Sequence, residues 1–145
     1  MPRKPTLEQA AVIALVRAAD RLRRRYTALF EPFDLTLQQF NVLRILRGAG
    51  PEGLPTLTIA ERMIERAPGI TRLIDRIERK GLVTRRREAP DRRVVSCRIT
   101  RKGLQLLQRL DDPVARTDAA AVAALPRKHR ARLVALLAPL SREPS

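Results

Sequence analysis

The sequence predicts a mostly α-helical protein that carries one β-hairpin. The hydrophobic fraction is 44% but the aromatic fraction is only 3%, so the core must consist mainly of Leu, Ile, Val and Ala, as is common in helix-rich proteins. Apolar residues recur at helical spacing along most of the 145 residues, and only residues 82–99 show short β-like segments instead. A chain of this length suits one compact unit.

A long first helix is predicted from about residue 7 to Phe30. Thr6 precedes it and Gln9 follows three residues later, which is the pattern of a capping box, and Pro32 ends it. Its apolar face consists of Leu7, Ala11, Ala14, Leu15, Ala18, Leu22, Leu29 and Phe30.

A second helix is predicted over about residues 37–47. Thr36 and Gln39 repeat the capping box, and Gly48 supplies a C-terminal stop. Residues 48–55 contain three glycines and two prolines, so we expect them to form a surface loop.

Two short helices separated by a tight turn come next. Thr56 can cap a helix over residues 57–64, and Pro68 fits the first turn of another helix that ends before Gly81. The apolar stripe of this second short helix is formed by Ile70, Leu73, Ile74 and Ile77.

A β-hairpin follows, with strands over residues 82–86 and 94–99 on either side of a polar tip. Helical spacing returns at Thr100 and continues to residue 140. We expect Pro113 and Pro126 to bend or break this C-terminal helical region.

The charge of the chain points to a polyanionic partner. Lys and Arg number 30 against 15 for Asp and Glu, a net charge of +15, which suits nucleic acid or an anionic membrane better than a neutral small substrate. No run approaches the roughly 18 apolar residues of a bilayer span, Trp is absent, and no apolar signal segment follows the N-terminus. We therefore expect a cytoplasmic protein without membrane contact, and nucleic acid is the favoured partner.

The chain offers little for catalysis or metal binding. One His, one Cys and scattered carboxylates form no recognisable pair of nucleophile and base and no set of metal ligands. We expect neither an enzyme nor a bound metal or cofactor. Cys97 lies on the second strand of the hairpin, where a half-buried structural role is favoured over redox sensing.

The order helix, helix, turn, helix, hairpin over residues 37–100 is the layout of a winged helix-turn-helix. The distribution of charge agrees with this interpretation. Residues 56–103 carry 14 Lys and Arg against 6 Asp and Glu, so a third of the chain holds about half of its net positive charge.

The second short helix is the candidate recognition helix. Thr71, Arg72 and Arg76 are the best candidates for base or phosphate contacts, because Arg can reach guanine O6 and N7 in the major groove. The alternative is a solvated face in which the two arginines pair with Asp75 or Glu78. The polar positions off the apolar stripe are Gly69, Thr71, Arg72, Asp75, Arg76 and Arg79.

The hairpin tip, residues 85–93, concentrates five arginines beside two acids. A twisted two-stranded projection of this kind can lay arginine into a narrow minor groove. The alternative is a flexible charged loop that binds nothing specific. The candidate contacts are Arg86, Arg87, Asp91, Arg92 and Arg93.

Four segments together resemble the multiple antibiotic resistance regulator (MarR) family. They are LTIAERM at 57–63, ITRLIDRIERKGLV at 70–83, DRR at 91–93 and ITRKG at 99–103. The resemblance implies a homodimer in which N- and C-terminal helices interlock and each winged helix reads half of a pseudopalindromic operator. It divides the chain into an N-terminal dimerisation helix (1–35), a DNA-binding domain (36–103) and C-terminal dimerisation helices (104–145).

The family pattern also assigns roles to single residues. In the Asp-x-Arg motif of the wing, Asp91 and Arg93 would hold the hairpin and contact DNA, with Arg92 between them. The hydroxyls of Thr56 and Thr58 stand at the start of the first short helix, where they cap it or contact phosphate. Capping is the expectation for Thr56, and phosphate contact is the expectation for Thr58.

Relatives suggest how DNA binding is regulated. Many release DNA when they bind a small aromatic or phenolic acid, and others respond to oxidants through a cysteine near the N-terminus, which this chain lacks. Tyr26 and His129 are the only Tyr and His, and neither is assigned to a ligand site. The predicted function is a sequence-specific regulator, a repressor released by an effector; the alternative is an architectural DNA-binding protein without sequence preference.

Overall fold

A computed structural model describes residues 1, 3–88, 90–91 and 93–142. It confirms the mostly helical fold with a small antiparallel sheet. The helices are α1 (Leu7–Phe30), α2 (Leu37–Ala49), α3 (Thr56–Arg62), α4 (Ile70–Arg79), α5 (Arg101–Ala121) and α6 (Arg127–Leu137), with short 3₁₀ turns at Glu31–Phe33 and Ala138–Leu140; the strands are β1 (Leu54–Pro55), β2 (Val83–Arg87) and β3 (Val95–Ile99).

Both predicted capping boxes are confirmed. The hydroxyl of Thr6 accepts from the Gln9 N–H at 3.2 Å and that of Thr36 accepts from the Gln39 N–H at 3.1 Å. The Gly48 stop was wrong, because α2 continues to Ala49 and ends at Gly50, which has a φ of 81°. Glycine adopts this positive φ without the steric penalty of a side chain, so the helix stops there rather than two residues earlier.

The expected surface loop before α3 ends in a short strand. Leu54 pairs opposite Cys97 of β3, which makes β1 the third strand of the sheet. The predicted cap at Thr56 was wrong, because its hydroxyl donates to the Val95 carbonyl at 3.3 Å and Pro55 occupies the N-cap position. Thr56 therefore fastens α3 to β3.

The start of α4 differs from the prediction in one respect. Gly69 occupies the N-cap with a left-handed φ of 80°, and the helix begins at Ile70. Pro68 lies in the preceding turn rather than in the first turn of the helix. The predicted hairpin is confirmed: Val83 lies opposite Ile99 and Arg87 lies opposite Val95.

The C-terminal region is broken at one of the two predicted prolines. Thr100 caps α5, and the helix passes through Pro113 to Ala121, so Pro113 does not break it. The interruption falls at residues 122–126, where Pro126 becomes the N-cap of α6. Since proline removes a backbone donor, it is better tolerated before a first helical turn than within a helix.

The buried core lies beneath the winged helix. Its buried apolar side chains come from the end of α1 through the first half of α5: Phe30, Leu35, Val42, Leu43, Leu46, Ile59, Ile74, Ile77, Leu82, Val83, Cys97, Leu107 and Leu110. Phe30 is the one residue of α1 that is buried, and α6 has none. The outer parts of the two terminal helices therefore extend beyond the core. In the described part of the chain, no helix combines the length and apolar character needed to cross a membrane.

Candidate nucleic-acid interface

The α4 helix presents one apolar and one polar face. Ile74 and Ile77 are buried, and Ile70 and Leu73 pack against the core. The opposite face carries the predicted contacts Thr71, Arg72, Arg76 and Arg79, all exposed. A Cβ added at Gly69 would meet nothing within 4 Å, so the start of the helix is open to an approaching molecule. The structure thus brings the candidate side chains together on one accessible face.

Asp75 and Glu78 of α4 hold an arginine of the wing. The Arg85 guanidinium lies 2.5 Å from Asp75 and 2.9 Å from Glu78, and the Arg85 backbone N–H donates to the Glu78 carboxylate at 3.1 Å. These carboxylates, Glu78 foremost, raise the pKa of Arg85. Both oxygens of Glu78 are used, so β2 is fixed against the recognition helix.

The contacts of Asp75 and Glu78 argue against the alternative in which these carboxylates pair with arginines of the exposed α4 face. Within the described residues, neither Arg72 nor Arg76 forms an ion pair with Asp75 or Glu78, because both carboxylates face Arg85. The two arginines stay available to a partner. Asp75 was expected among the DNA-facing residues, and its carboxylate lies at the junction of helix and wing instead of on the outermost face.

The wing tip closes in a hydrogen-bonded turn. Glu88 N–H donates to the Val94 carbonyl at 2.9 Å, and the Asp91 carboxylate accepts from the Arg93 N–H at 3.0 Å. Asp91 therefore holds the tip backbone, the role that the resemblance implies for it. Arg86, Arg87 and Arg93 are exposed, whereas the predicted contact Arg92 lies outside the described residues.

The first short helix contributes less to the exposed surface. Thr58 is half-buried on α3, which leaves room for a phosphate contact through its hydroxyl but limits its reach. The turn between α3 and α4 is tied to α1, because Arg23 lies 3.0 Å from Glu65. The position of the helix-turn-helix is thereby coupled to the long N-terminal helix.

Two lysines fix the C-terminal end of α4. The Lys80 ammonium donates to the Gln39 amide oxygen at 3.0 Å and to the Asp34 carbonyl, and the Lys102 ammonium donates to the Lys80 carbonyl at 2.8 Å. Cations suit this end of a helix because its carbonyls carry partial negative charge. The recognition helix is thus connected to α2 and to α5.

A pocket of about 540 Å³ adjoins these lysines. Its walls include Lys80, Lys102, Arg109 and Phe33, and the Arg109 guanidinium stands 5.3 Å from the centre of the Phe33 ring. A pocket with three cations and an aromatic wall can accept a small anionic ring compound.

Tyr26, His129 and Cys97 do not line this pocket. Tyr26 donates a hydrogen bond to Asp118, and burial, with help from Asp118, raises its pKa to about 12. His129 is exposed on α6.

Cys97 was expected to be half-buried but is fully enclosed, and this burial raises the pKa of its thiol. A buried thiol with a raised pKa is poorly reactive, which agrees with a structural role. No group of three or more possible metal ligands occurs among the residues described.

The roles of Arg85, Lys80 and Glu65 were not predicted from the sequence. Arg85 carried a recognisable signal: it follows Val83 by two positions, so it shares the inward face of β2 while Arg86 points outward. Lys80 and Glu65 have no such local signal, because their partners stand 41 and 42 residues away.

Known proteins resemble this chain over the same elements. A sequence profile of the MarR family matches residues 35–95. The MarR transcription factor of Planctomyces limnophilus is 41% identical, with a TM-score of 0.74, over 93% of this chain and 98% of that one. The PcaV transcriptional regulator of Streptomyces coelicolor, solved in complex with its natural ligand, is 28% identical, with a TM-score of 0.73, over 85% of this chain and 88% of PcaV.

A curated relative is also a transcriptional regulator. TtmR, an HTH-type transcriptional regulator of Methylorubrum extorquens, is 34% identical over 106 residues, which are 73% of this chain and 53% of TtmR. The chain spans about half the length of that relative. Because the Planctomyces protein matches along nearly its whole length and at high identity, the family assignment does not depend on TtmR. This chain belongs to the MarR family of transcriptional regulators.

Proposed function

We propose that this protein is a dimeric repressor that binds a specific DNA operator and leaves it when a small effector binds. The observation that carries the proposal is the exposed face of α4, where Arg72 and Arg76 stand free of the neighbouring carboxylates while Arg85 fixes the wing beside them. Family membership supports a regulator rather than an enzyme. Because its DNA partner would be chromosomal, the protein would be located in the cytoplasm.

The α4 helix would enter the major groove with its N-terminal end towards the bases. Thr71 and Arg72 lie in its first turn, and the open N-cap at Gly69 allows a phosphate to approach the free backbone N–H groups. Arg76 lies one turn further along, where a bidentate contact to guanine is sterically accessible. Arg79 would reach the backbone at the far edge of the groove.

The wing would contact the neighbouring minor groove or its phosphates. Arg86 and Arg87 project from β2, and the tip turn held by Asp91 presents Arg93. Narrow minor grooves attract arginine through their enhanced negative potential. Arg92 is included in this proposed set on the strength of the sequence motif alone.

A dimer would bury the uncovered apolar faces of the terminal helices. Val12 and Val16 of α1 are 60% and 61% exposed, and Val134 and Leu136 of α6 are 70% and 61% exposed. Exposed apolar residues in such number mark an interaction surface. A symmetric dimer would place two α4 helices about 34–36 Å apart, one turn of DNA, to read a pseudopalindrome.

The effector would be a small aromatic or phenolic acid. The pocket beside Phe33 supplies cations for a carboxylate, and PcaV, which is solved with its natural ligand, supports ligand control in this family. An anion there would compete with the Lys80 carbonyl for Lys102 and so loosen the end of α4. Benzoate and salicylate are suitable probes: we expect them to lower affinity for the operator, and Lys102→Gln to weaken that response.

The function is tested by titrating the purified protein with the intergenic DNA upstream of its own gene and with a random duplex of equal length, at two salt concentrations. We expect a preference of about 10³-fold or more for the intergenic DNA, with one dimer per site. Equal and steeply salt-dependent binding to both duplexes would instead indicate an architectural DNA-binding protein. Failure to bind either at low salt would contradict DNA binding altogether.

A further inference from the structure

The α1 helix changes character halfway along its length. Its first half, to Val16, carries the exposed apolar residues already described, whereas residues 17–25 contain five arginines and one aspartate. Arg17, Arg21 and Arg24 are spaced by four and three residues, so they share one face of the helix. The apolar half has a role in the proposed dimer, but this arginine face does not.

The arginines of this face are largely uncompensated. Arg24 pairs with Asp20 one turn away, and both side chains are more than half exposed, which makes the pair weak. Among the described residues, Arg17 and Arg21 have no ion-pair partner, and both are exposed. They line a shallow groove of about 770 Å³ together with Arg24 and Arg25. Such a density of like charge is unfavourable unless an anionic partner neutralises it.

The helix that carries this arginine face also contacts the turn before the recognition helix. Arg23, on the adjoining side of α1, pairs with Glu65 in the turn before α4. A second groove, of about 620 Å³, runs from Arg23 and Thr27 of α1 to Leu73 and Arg76 of α4. The C-terminal half of α1, which carries the arginine face, therefore borders the surface that faces DNA in the proposed complex.

We propose that Arg17, Arg21 and Arg24 form a second phosphate-binding surface, which contacts the DNA backbone beyond the segment read by α4 and the wing. The inference rests on the proposed function. The guanidinium group suits phosphate because its planar fork donates two parallel hydrogen bonds. Contacts to the backbone carry no sequence information, so this surface adds affinity and salt dependence rather than specificity.

The test compares the double variant Arg17→Gln/Arg21→Gln with wild type on the intergenic and random duplexes over a range of salt. Within the described part of the chain, neither arginine has an ion pair that the substitution would break. Removing one phosphate contact lowers the slope of log affinity against log salt by about 0.9. Because the variant removes two such contacts from each protomer, and so four from the proposed dimer, the advantage of wild type should shrink about 150-fold between roughly 50 and 200 mM salt, and equally on both duplexes.

The matched control is Arg127→Gln/Arg132→Gln, which removes the same charge from exposed positions of α6 and should leave the slope unchanged. An equal slope for all three proteins would overturn the inference. Dissociation of the Arg17→Gln/Arg21→Gln variant into monomers would also overturn it, because the arginine face would then be a subunit interface. Weaker binding of that variant to vesicles of anionic phospholipid, with an unchanged DNA slope, would assign the surface to a membrane instead. If wild type binds neither duplex, the proposed function itself fails.

Discussion

Arg85 joins the recognition helix and the wing. Its guanidinium and backbone N–H contact Asp75 and Glu78, and its side chain is 27% exposed. A simple surface ion pair contributes little to stability, but a partly buried network with several hydrogen bonds contributes more. Without Arg85, two carboxylates three residues apart on α4 would repel each other.

We therefore expect Arg85→Met to lower the free energy of unfolding by about 1–2 kcal/mol. Arg86→Met, one position along and exposed, should change it by less than about 0.5 kcal/mol. Chemical denaturation of both variants measures the difference. Equal stability of the two would mean that the contacts of Arg85 do not hold the wing to α4.

Tyr26 gives a prediction about pH, and it is the only tyrosine of the chain. Burial, followed by Asp118, raises its pKa to about 12, so the folded state favours the neutral phenol. The resulting stabilisation is complete below the ordinary pKa of about 10 and is lost as the pH rises through about 12.

The ultraviolet absorbance of the phenolate follows this titration directly. We expect a midpoint near 12 in the native protein, and a lower one in Asp118→Asn that still exceeds the ordinary value of about 10, because burial remains. A wild-type midpoint at the ordinary value would show that Tyr26 is solvated and unpaired.

Two helical glycines, Gly103 and Gly48, have opposite surroundings. A Cβ at Gly103 of α5 would lie 2.5 Å from the Leu82 carbonyl oxygen and 2.7 Å from the Ile99 side chain, whereas one at Gly48 of α2 meets nothing within 4 Å. The first glycine allows α5 to pack on the base of the wing. The second only weakens its helix.

Gly103→Ala should thus destabilise the protein by about 1–3 kcal/mol, because backbone must move to admit the methyl group. Gly48→Ala should stabilise it by up to about 1 kcal/mol through helix propensity. Thermal unfolding of the two variants provides the comparison, and a stabilised Gly103→Ala protein would contradict the close packing of α5 on the sheet.

Elements with a strong local pattern could be predicted from the sequence. The capping boxes at Thr6 and Thr36 and the apolar stripe of α4 depend on residues within one or two helical turns. The strand β1 could not be predicted, since it has two residues and exists only through pairing with β3. Thr56 was misassigned for the same reason, because the carbonyl of Val95 is 39 residues away.

The exposed part of the candidate site could be predicted from the sequence, whereas its internal contacts could not. The polar face of α4 follows from helical periodicity, so its accessible arginines could be predicted. The fixing of the wing by Arg85 and of the helix end by Lys80 arises from tertiary contacts between separate elements. A single sequence carries no direct record of such contacts.

A dimer would form through the terminal helices of the protein. The apolar faces of α1 and α6 have no cover within the described part of the chain, so one charged substitution should prevent their association. We expect Val16→Asp to produce a monomer that has lost most of its operator affinity, because two linked half-sites bind far more tightly than one.

Leu57→Asp is the matched control for the oligomeric state. Leu57 is an apolar residue like Val16, is 75% exposed, and lies on α3 of the winged helix. Light scattering should show a dimer for this variant and for wild type. A Val16→Asp protein that stays dimeric would place the subunit interface elsewhere.

Base reading by α4 is measured by the binding of Arg72→Ala and Arg76→Ala to the operator and to a random duplex. If an arginine makes a bidentate contact to a base, its loss should weaken operator binding by about 1–3 kcal/mol and affect random DNA much less. The ratio of the two affinities would then fall in at least one variant. Unchanged ratios in both variants would show that neither arginine reads sequence and would contradict the account.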